Sequence, residues 1–347
     1  MAGPPIPIRP RRTAHSNLGS ELARRIIGQT HATEQIIPYV QMHRAGLAPE
    51  GRPAGVFLLL GPTGTGKTRT VEALADVLHG SEKSLLRVDC GEFQMEHEVA
   101  KLIGAPPGYL GHRETHPMLT QQKLNSVTSE NCNLSLVLFD EIEKAAASMT
   151  RLLLGVLDKV ALRLGDNTTV NFERSMIFLT SNLGAEAMRK ELRPDFGFEA
   201  IASNGCATNG GAASTKKIQS IGMVAVRRKF SPEFVNRIDS VIAYQPLDDA
   251  SLGAILDQQL DLLERHIQNR LEERAFDLEI GEDAHAWLLR KGTSVEYGAR
   301  ELKRTILRNL TQPLAAMVEA GKIAPGAVVR VEVAGDGESL SLTPENS

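Results

Sequence analysis

The stretch Gly61-Pro62-Thr63-Gly64-Thr65-Gly66-Lys67-Thr68 has the form GxxxxGK[ST]. Glycines at those intervals let main-chain N–H groups turn inward around an anion. A helix beginning at the lysine presents the positive end of its dipole to the same point. Such a segment cradles the phosphates of a nucleotide. Lys67 is placed to reach the β- and γ-phosphates, and the Thr68 hydroxyl is a hard oxygen ligand for Mg2+. Further along, Leu134-Ser-Leu-Val-Leu-Phe-Asp140-Glu141 is an apolar run that closes on two acids. Asp140 can complete a Mg2+ shell through water, and Glu141 is placed to orient or deprotonate an attacking water. A third run, Met176–Thr180, leads into Ser181 and Asn182, whose amide can bond to that water or to the γ-phosphate. Taken singly, each has an ordinary alternative: a glycine turn, two surface acids ending a strand, an asparagine opening a turn. Taken in order, they predict Mg2+-dependent nucleotide hydrolysis.

These residues need strands to carry them. Val56–Leu60 is short, wholly apolar and followed by glycine, which predicts a strand buried on both faces, as in a parallel sheet. Leu85–Val88, Leu134–Phe139 and Ser175–Thr180 read the same way, with helical patterns at Thr68–Leu78 and Ala145–Leu157 between them. Strands alternating with helices predict an α/β fold, a doubly wound parallel sheet, over residues 18–246. At its start, Leu22, Ile26 and Ile27 are spaced for one helical face. Beyond residue 246 the character changes. Over Ser251–Arg270, Leu252, Ile255, Leu256, Leu260, Leu263 and Ile267 form one helical stripe. Asp283–Leu289 and Val295–Ala320 also read as helices, the second kinked at Pro313 and stopped at Gly321. Val328–Val333 alternates like a strand. Residues 247–347 are therefore expected to be a small, mostly helical domain with a little β-structure and a disordered tail. The proline-rich residues 1–17 read as a disordered leader, and the Gly-, Ala- and Ser-rich residues 199–222 as a flexible insert.

Composition narrows the function. Lys and Arg number 39 against 42 Asp and Glu, so no basic excess points to nucleic acid. The cysteines, Cys90, Cys132 and Cys206, show no CxxC spacing, which favours a reducing, cytoplasmic setting over a disulfide scaffold. No apolar run approaches the ~20 residues of a membrane span. His112 and His116 have HxxxH spacing, but no acid or cysteine partner is evident and Pro117 disfavours a helix there, so no metal site is predicted. A pH-sensitive loop is the milder reading.

The flanks of these motifs resemble the AAA+ family, specifically its Clp/ClpB branch and the second ATPase module of ClpA, ClpB and ClpC. The resemblance runs over roughly residues 20–333. It rests on IIGQ at 26–29, GAPPGYLG at 104–111, LFDEIEKA at 138–145, LTSNLG at 179–184, FSPEFVNRID at 230–239 and YGARELKRTI at 297–306. It implies a mostly helical lid over the nucleotide, with ATP and Mg2+ as cofactors and Ile26 and Ile27 on the adenine side. It implies that Asn182 is the first sensor, Arg237 the finger reaching a neighbour's γ-phosphate and Arg300 the second sensor. It further implies a homo-hexamer whose pore loop, with Tyr109 at its tip, threads polypeptide, hence a protein unfoldase or remodelling chaperone. The alternatives are an ATPase subunit of a ClpP-type protease, a nucleic-acid motor or loader, and a scaffold that senses ATP without hydrolysing it. Phe196 and Phe198 in Asp195–Glu199 bear on the protease alternative, because an aromatic on a mobile loop suits docking to a peptidase ring. Packing on the chain's own surface is the competing reading. After GYLG the chain reads His-Arg-Glu-Thr-His-Pro where the family has acids and a glycine pair.

Overall fold

The structure is a computed structural model that describes residues 18–104, 117–192, 210–294 and 298–345. The leader 1–17, Tyr109, His112, His116, Phe196, Phe198 and Cys206 lie outside the described residues.

Ten strands occur among the described residues: β1 (Gly55–Leu60), β2 (Leu86–Asp89), β3 (Ser135–Asp140), β4 (Ala161–Arg163), β5 (Thr169–Asn171), β6 (Ser175–Ser181), β7 (Ser240–Ala243), β8 (Asp277–Ile280), β9 (Val328–Val333) and β10 (Leu340–Glu345). The main sheet has the order β2-β3-β6-β1-β7, and every pairing in it is parallel. β1, β3 and β6 are buried at every position, which is why their sequences read as unbroken apolar runs. The pleat divides each run between two layers. Val56, Leu58, Leu60, Val137 and Phe139 pack with Met149, Leu153 and Val156 of the helix Ala147–Lys159. Phe57, Leu59, Leu136, Leu138 and Phe178 face Ile36, Val40, Val71 and Leu74 of the helices Thr30–Arg44 and Lys67–His79. Phe57 and Phe178 stack at 5.3 Å between centroids, and truncating either to alanine costs about 3–5 kcal/mol.

The chain leaves β1 for the far edge at β2 and returns through β3 and β6 to lie beside β1. The carboxyl ends of β1, β3 and β6 therefore sit side by side, at the crevice where open α/β sheets hold ligands.

A separate core gathers Leu256, Phe276, Trp287, Leu302, Leu310, Val329 and Val331. It joins the helix Asp249–Leu271, the helix Glu282–Gly292 and the sheet β10-β9-β8. The expected stripe is present, with Leu252, Leu256 and Ile267 buried. Of the helix expected over 295–320, residues 299–319 are helical without a gap, with a widened turn just before Pro313. Helices Ala299–Ile306 and Gln312–Glu319 flank a π turn, Leu307–Thr311. Pro313 at the start of the last helix lacks an N–H and would strike the carbonyl four residues back, and the wider turn relieves both.

Two expectations are corrected. The C-terminal tail is not disordered through Glu345, because β10 pairs antiparallel with β9 and Leu340 and Leu342 pack on the third core. Its sequence alternates, and Asp336 holds the preceding turn by accepting from the N–H groups of Glu338 and Ser339 at 2.9 and 3.2 Å. The insert 199–222 is not flexible throughout, because residues 210–229 form a helix. Ile218 and Val226 are buried, and Gln219 donates to the Val241 carbonyl of β7 at 2.9 Å. One of the insert's small residues serves close packing: a Cβ at Gly222 would lie 2.6 Å from Met188 Cε and 2.9 Å from Leu60 Cδ1.

Candidate active site

β1 delivers the chain into the loop 61–66. Gly61 takes φ +149, and a Cβ there would come within 2.7 Å of the Tyr244 carbonyl. Gly66 is left-handed and opens the helix Lys67–His79, so the amides of its first turn face the loop. The Lys67 side chain is buried, and its Nζ donates to the carbonyls of Gly61 (2.7 Å) and Pro62 (2.9 Å) and to Asn182 Oδ1 (2.9 Å). All three ammonium protons are thereby used. Burial lowers the Lys67 pKa to about 8, with Glu143, Asp140 and Glu141 pulling it back up and Arg300 pushing it down.

Asp140 ends β3 with both carboxylate oxygens engaged. Thr180 donates its hydroxyl to Oδ1, and Arg87 of β2 pairs with Oδ2. Glu141 follows with φ 56, a left-handed backbone rare for glutamate. Its N–H donates to Thr180 Oγ1 at 3.0 Å, and its carboxylate pairs with Lys144. The turn Ile142–Lys144 then brings Glu143 Oε1 to within 3.0 Å of the Asn182 main-chain N–H, which donates to it.

Around this point lies a cleft of about 300 Å³, lined by Thr63–Thr68, Asp140, Glu141, Thr180 and Asn182 from the sheet side. Ile26 and Ile27 line it from one flank and Arg300 and Lys303 from the helix Ala299–Ile306. The second unit touches the loop directly. Ala299 N donates to the Gly64 carbonyl at 3.3 Å, and a Cβ on Gly298 would stand 2.9 Å from that same oxygen. Thus Ile26, Ile27, Thr63, Gly64, Thr65, Gly66, Lys67, Thr68, Asp140, Glu141, Asn182 and Arg300 share one cleft. Gly61 and Pro62 hold Lys67 from behind.

Arg237 is not among the cleft-lining residues. It is 42% exposed and pairs with Asp158 at 2.8 Å. It does not pair with Asp239, which instead binds Arg52 and accepts from Val56 N at 2.8 Å.

Sequence reasoning passed over four side chains. Thr180 and Arg87 hold Asp140. Glu143 holds the Asn182 backbone. Gln29, wholly buried, donates to the carbonyls of Thr65 (3.2 Å) and Gln245 (2.8 Å), tying the loop to the chain just before residue 247. All four lie inside segments already singled out, but nothing in spacing marks which partner a polar side chain takes. Arg87 and Thr180 occupy strand positions where polar residues are unremarkable.

Mg2+ fits the residues present. Thr68 and Asp140 both line the cleft and offer hard oxygens to it, and a Mg2+ held partly by phosphates and water needs no more from the protein.

The family model of the AAA domain (Cdc48 subfamily) matches residues 52–241, and that of the C-terminal, D2-small domain of ClpB protein matches residues 247–331. The chaperone protein ClpB of Rhizobium meliloti (strain 1021) is 38% identical over 316 residues, covering 91% of this chain and 33% of its own. That of Mycobacterium leprae (strain TN) is 36% identical over 322 residues, covering 93% and 33%. A closed-state cryo-EM reconstruction of Hsp104 with ATPγS and FITC-casein superposes with a TM-score of 0.76 at 28% identity, over 94% of this chain and 51% of that one. The extended S. cerevisiae Hsp104:casein complex gives 0.77 at 28% identity, over 94% and 52%. The chain spans about a third of the length of these curated relatives and about half of each Hsp104 chain.

Proposed function

Because the chain belongs to the AAA+ family, as a module of the ClpB/Hsp104 type, we propose that it hydrolyses Mg-ATP in this cleft and uses the energy to unfold or remodel polypeptides. One observation carries the reading: Lys67, Asp140, Glu141 and Asn182, from three different strand ends, converge on the glycine loop.

The roles follow from chemistry. Amides of residues 63–68 and the helix end receive the phosphates. Lys67 exchanges its loop carbonyls for β- and γ-oxygens. Thr68 and Asp140 hold Mg2+, which when bound neutralises charge developing on the phosphates. Glu141 activates water, and Asn182 orients it or the γ-phosphate. Ile26 and Ile27 pack on the base, and Arg300 brings the lid's charge to the nucleotide.

Residues 18–246 are read as the ATPase body and 247–347 as its lid. Arg237, outside its own cleft, is proposed to complete the cleft of an adjacent copy, which supports a ring, and a homo-hexamer is the form proposed. The polypeptide substrate is supported by the casein bound to the Hsp104 neighbours, and Tyr109 is proposed from its motif to grip it, since a flat ring packs on any side chain. Among the described residues no helix is long and apolar enough to cross a membrane, and a cytoplasmic setting is proposed.

The test is steady-state ATPase with and without an unfolded protein such as casein, for wild type and Glu141→Gln. Hydrolysis stimulated by casein and abolished in the variant supports the reading. Stimulation by DNA instead, or full turnover in Glu141→Gln, overturns it.

A further inference from the structure

Where β6 gives out, the main chain faces a local problem. The last ladder bond at this end runs from Gly61 N to the Ser181 carbonyl at 3.2 Å. The next amide, that of Asn182, has no strand partner, and an orphaned N–H there would leave Asn182 free to pivot. The carboxylate of Glu143 takes that N–H at 3.0 Å. Glu143 rides on a turn that is itself fixed: Ile142 is fully buried, Lys144 N donates to the Glu141 carbonyl at 2.9 Å, and Ala145 N to that of Ile142 at 3.2 Å. The other Glu143 oxygen, Oε2, is buried with no hydrogen-bond partner among the described residues. A carboxylate that gives up water at one oxygen in order to bind with the other is held by its surroundings for that bond, and buried unpartnered groups of this kind concentrate where function requires them.

On its other side Asn182 is gripped by Lys67, whose Nζ donates to Oδ1 at 2.9 Å. When phosphates draw Lys67 away, the Glu143 bond still holds the Asn182 N–H at the strand end, while the Asn182 carbonyl accepts from Ala185 N at 3.1 Å. We infer that Glu143 is a positioning residue for the hydrolysis proposed above: it clamps the Asn182 backbone so that the Asn182 amide meets the attacking water or the γ-phosphate in register with Glu141. This rests on the Mg-ATPase reading. Glu143 does not touch the nucleotide; it acts through Asn182. The bond is charge-assisted, and so strong enough to fix one backbone position.

The consequence is a split between binding and turnover. A displaced Asn182 leaves the phosphate cradle intact but misplaces a reacting group, and a shift of about 1 Å costs up to about 100-fold in rate. Glu143→Ala is expected to lower kcat by about 10- to 100-fold, while the affinity for a fluorescent non-hydrolysable ATP analogue stays within about twofold. Glu143→Gln keeps a carbonyl acceptor and is expected to recover most of the lost kcat. Asn182→Ala keeps its own main-chain N–H but has no amide to position, so adding Glu143→Ala to it is expected to cost little more.

Four results overturn the proposal: unchanged kcat in Glu143→Ala; equal losses in kcat and analogue affinity accompanied by a lower melting temperature, which is the mark of a packing defect; no recovery in Glu143→Gln; or full additivity with Asn182→Ala. A wild-type chain that binds no nucleotide overturns the ATPase reading and this one together. Wild-type turnover matched by Glu143→Ala overturns the role of Glu143 alone.

Discussion

Lys67 Nζ donates to Asn182 Oδ1 across 2.9 Å, so the lysine of the glycine loop and the amide at the end of β6 are direct partners. Together with the two loop carbonyls, this bond stores the buried Lys67 ammonium with its protons satisfied.

That storage has a pH signature. Burial lowers Lys67 from its ordinary 10.5 to about 8, so between those values the unfolded chain binds more protons than the folded one. Stability contributed by this lysine therefore rises with pH over that window. Nucleotide affinity moves the opposite way, because the phosphates favour the charged amine. Binding measured by calorimetry at pH 8.5 in buffers of different ionisation enthalpy should show net proton uptake, and affinity should weaken as pH rises further. Lys67→Met should abolish the uptake. Buffer-independent heats at pH 8.5 in wild type would contradict the assignment.

Gly298 bears the lid's contact with the loop. Its φ is +51, and a methyl there would sit 2.9 Å from the Gly64 carbonyl. Gly298→Ala should therefore push the helix Ala299–Ile306, and Arg300 with it, off the cradle. The left-handed backbone alone costs about 1–3 kcal/mol for a non-glycine residue. ATP affinity should fall by roughly tenfold or more, with the main sheet's melting transition little changed; equilibrium binding and thermal unfolding on one sample check both halves.

How far these relationships were legible in advance depends on what encodes them. Phe57, Leu138 and Phe178 are strand residues because they are apolar and contiguous, and that needs no partner to be read. Lys67 and Asp140 declare themselves by type and spacing. By contrast, Gln29, Arg87 and Glu143 are ordinary polar residues whose meaning lies in which distant backbone or carboxylate they meet. The helix over 210–229 was misread because a glycine signals mobility in solution, whereas Gly222 here permits close approach to Leu60 and Met188. β10 was missed for a related reason: a six-residue strand at a sheet edge is stabilised by β9, not by its own composition.

Arg237 gives a test of assembly. It is 42% exposed beside Asp158 and does not line its own cleft. Arg237→Ala should bind nucleotide normally but lose about 100-fold or more in kcat, the scale of removing one preorganised group from a transition state. If Arg237 acts across an interface as proposed, mixing Arg237→Ala with Glu141→Gln should restore part of the turnover that neither shows alone: some interfaces then pair an intact Glu141 with an intact Arg237. Mixtures no more active than the sum of their parts, in a sample shown by light scattering to co-assemble, would place Arg237 outside the reaction.

The pairing of Arg87 with Asp140 sets an arginine against a metal. Asp140 Oδ1 accepts from Thr180 and Oδ2 faces the Arg87 guanidinium, so a cation approaching the carboxylate must share it with a charge already present. Arg87 is 51% exposed, and ion pairs in such settings are worth about 0.2–1 kcal/mol. Releasing it should therefore tighten apparent Mg2+ affinity by at most about fivefold. Arg87→Ala, titrated with Mg2+ at fixed nucleotide and followed by a fluorescent analogue, should shift half-saturation to lower Mg2+. Arg87→Lys should fall between, since an ammonium keeps the charge but not the fork. If Arg87→Ala instead needs more Mg2+, then the guanidinium orients Asp140 toward the metal and does not compete with it, and the carboxylate's own geometry is what β2 was recruited to hold.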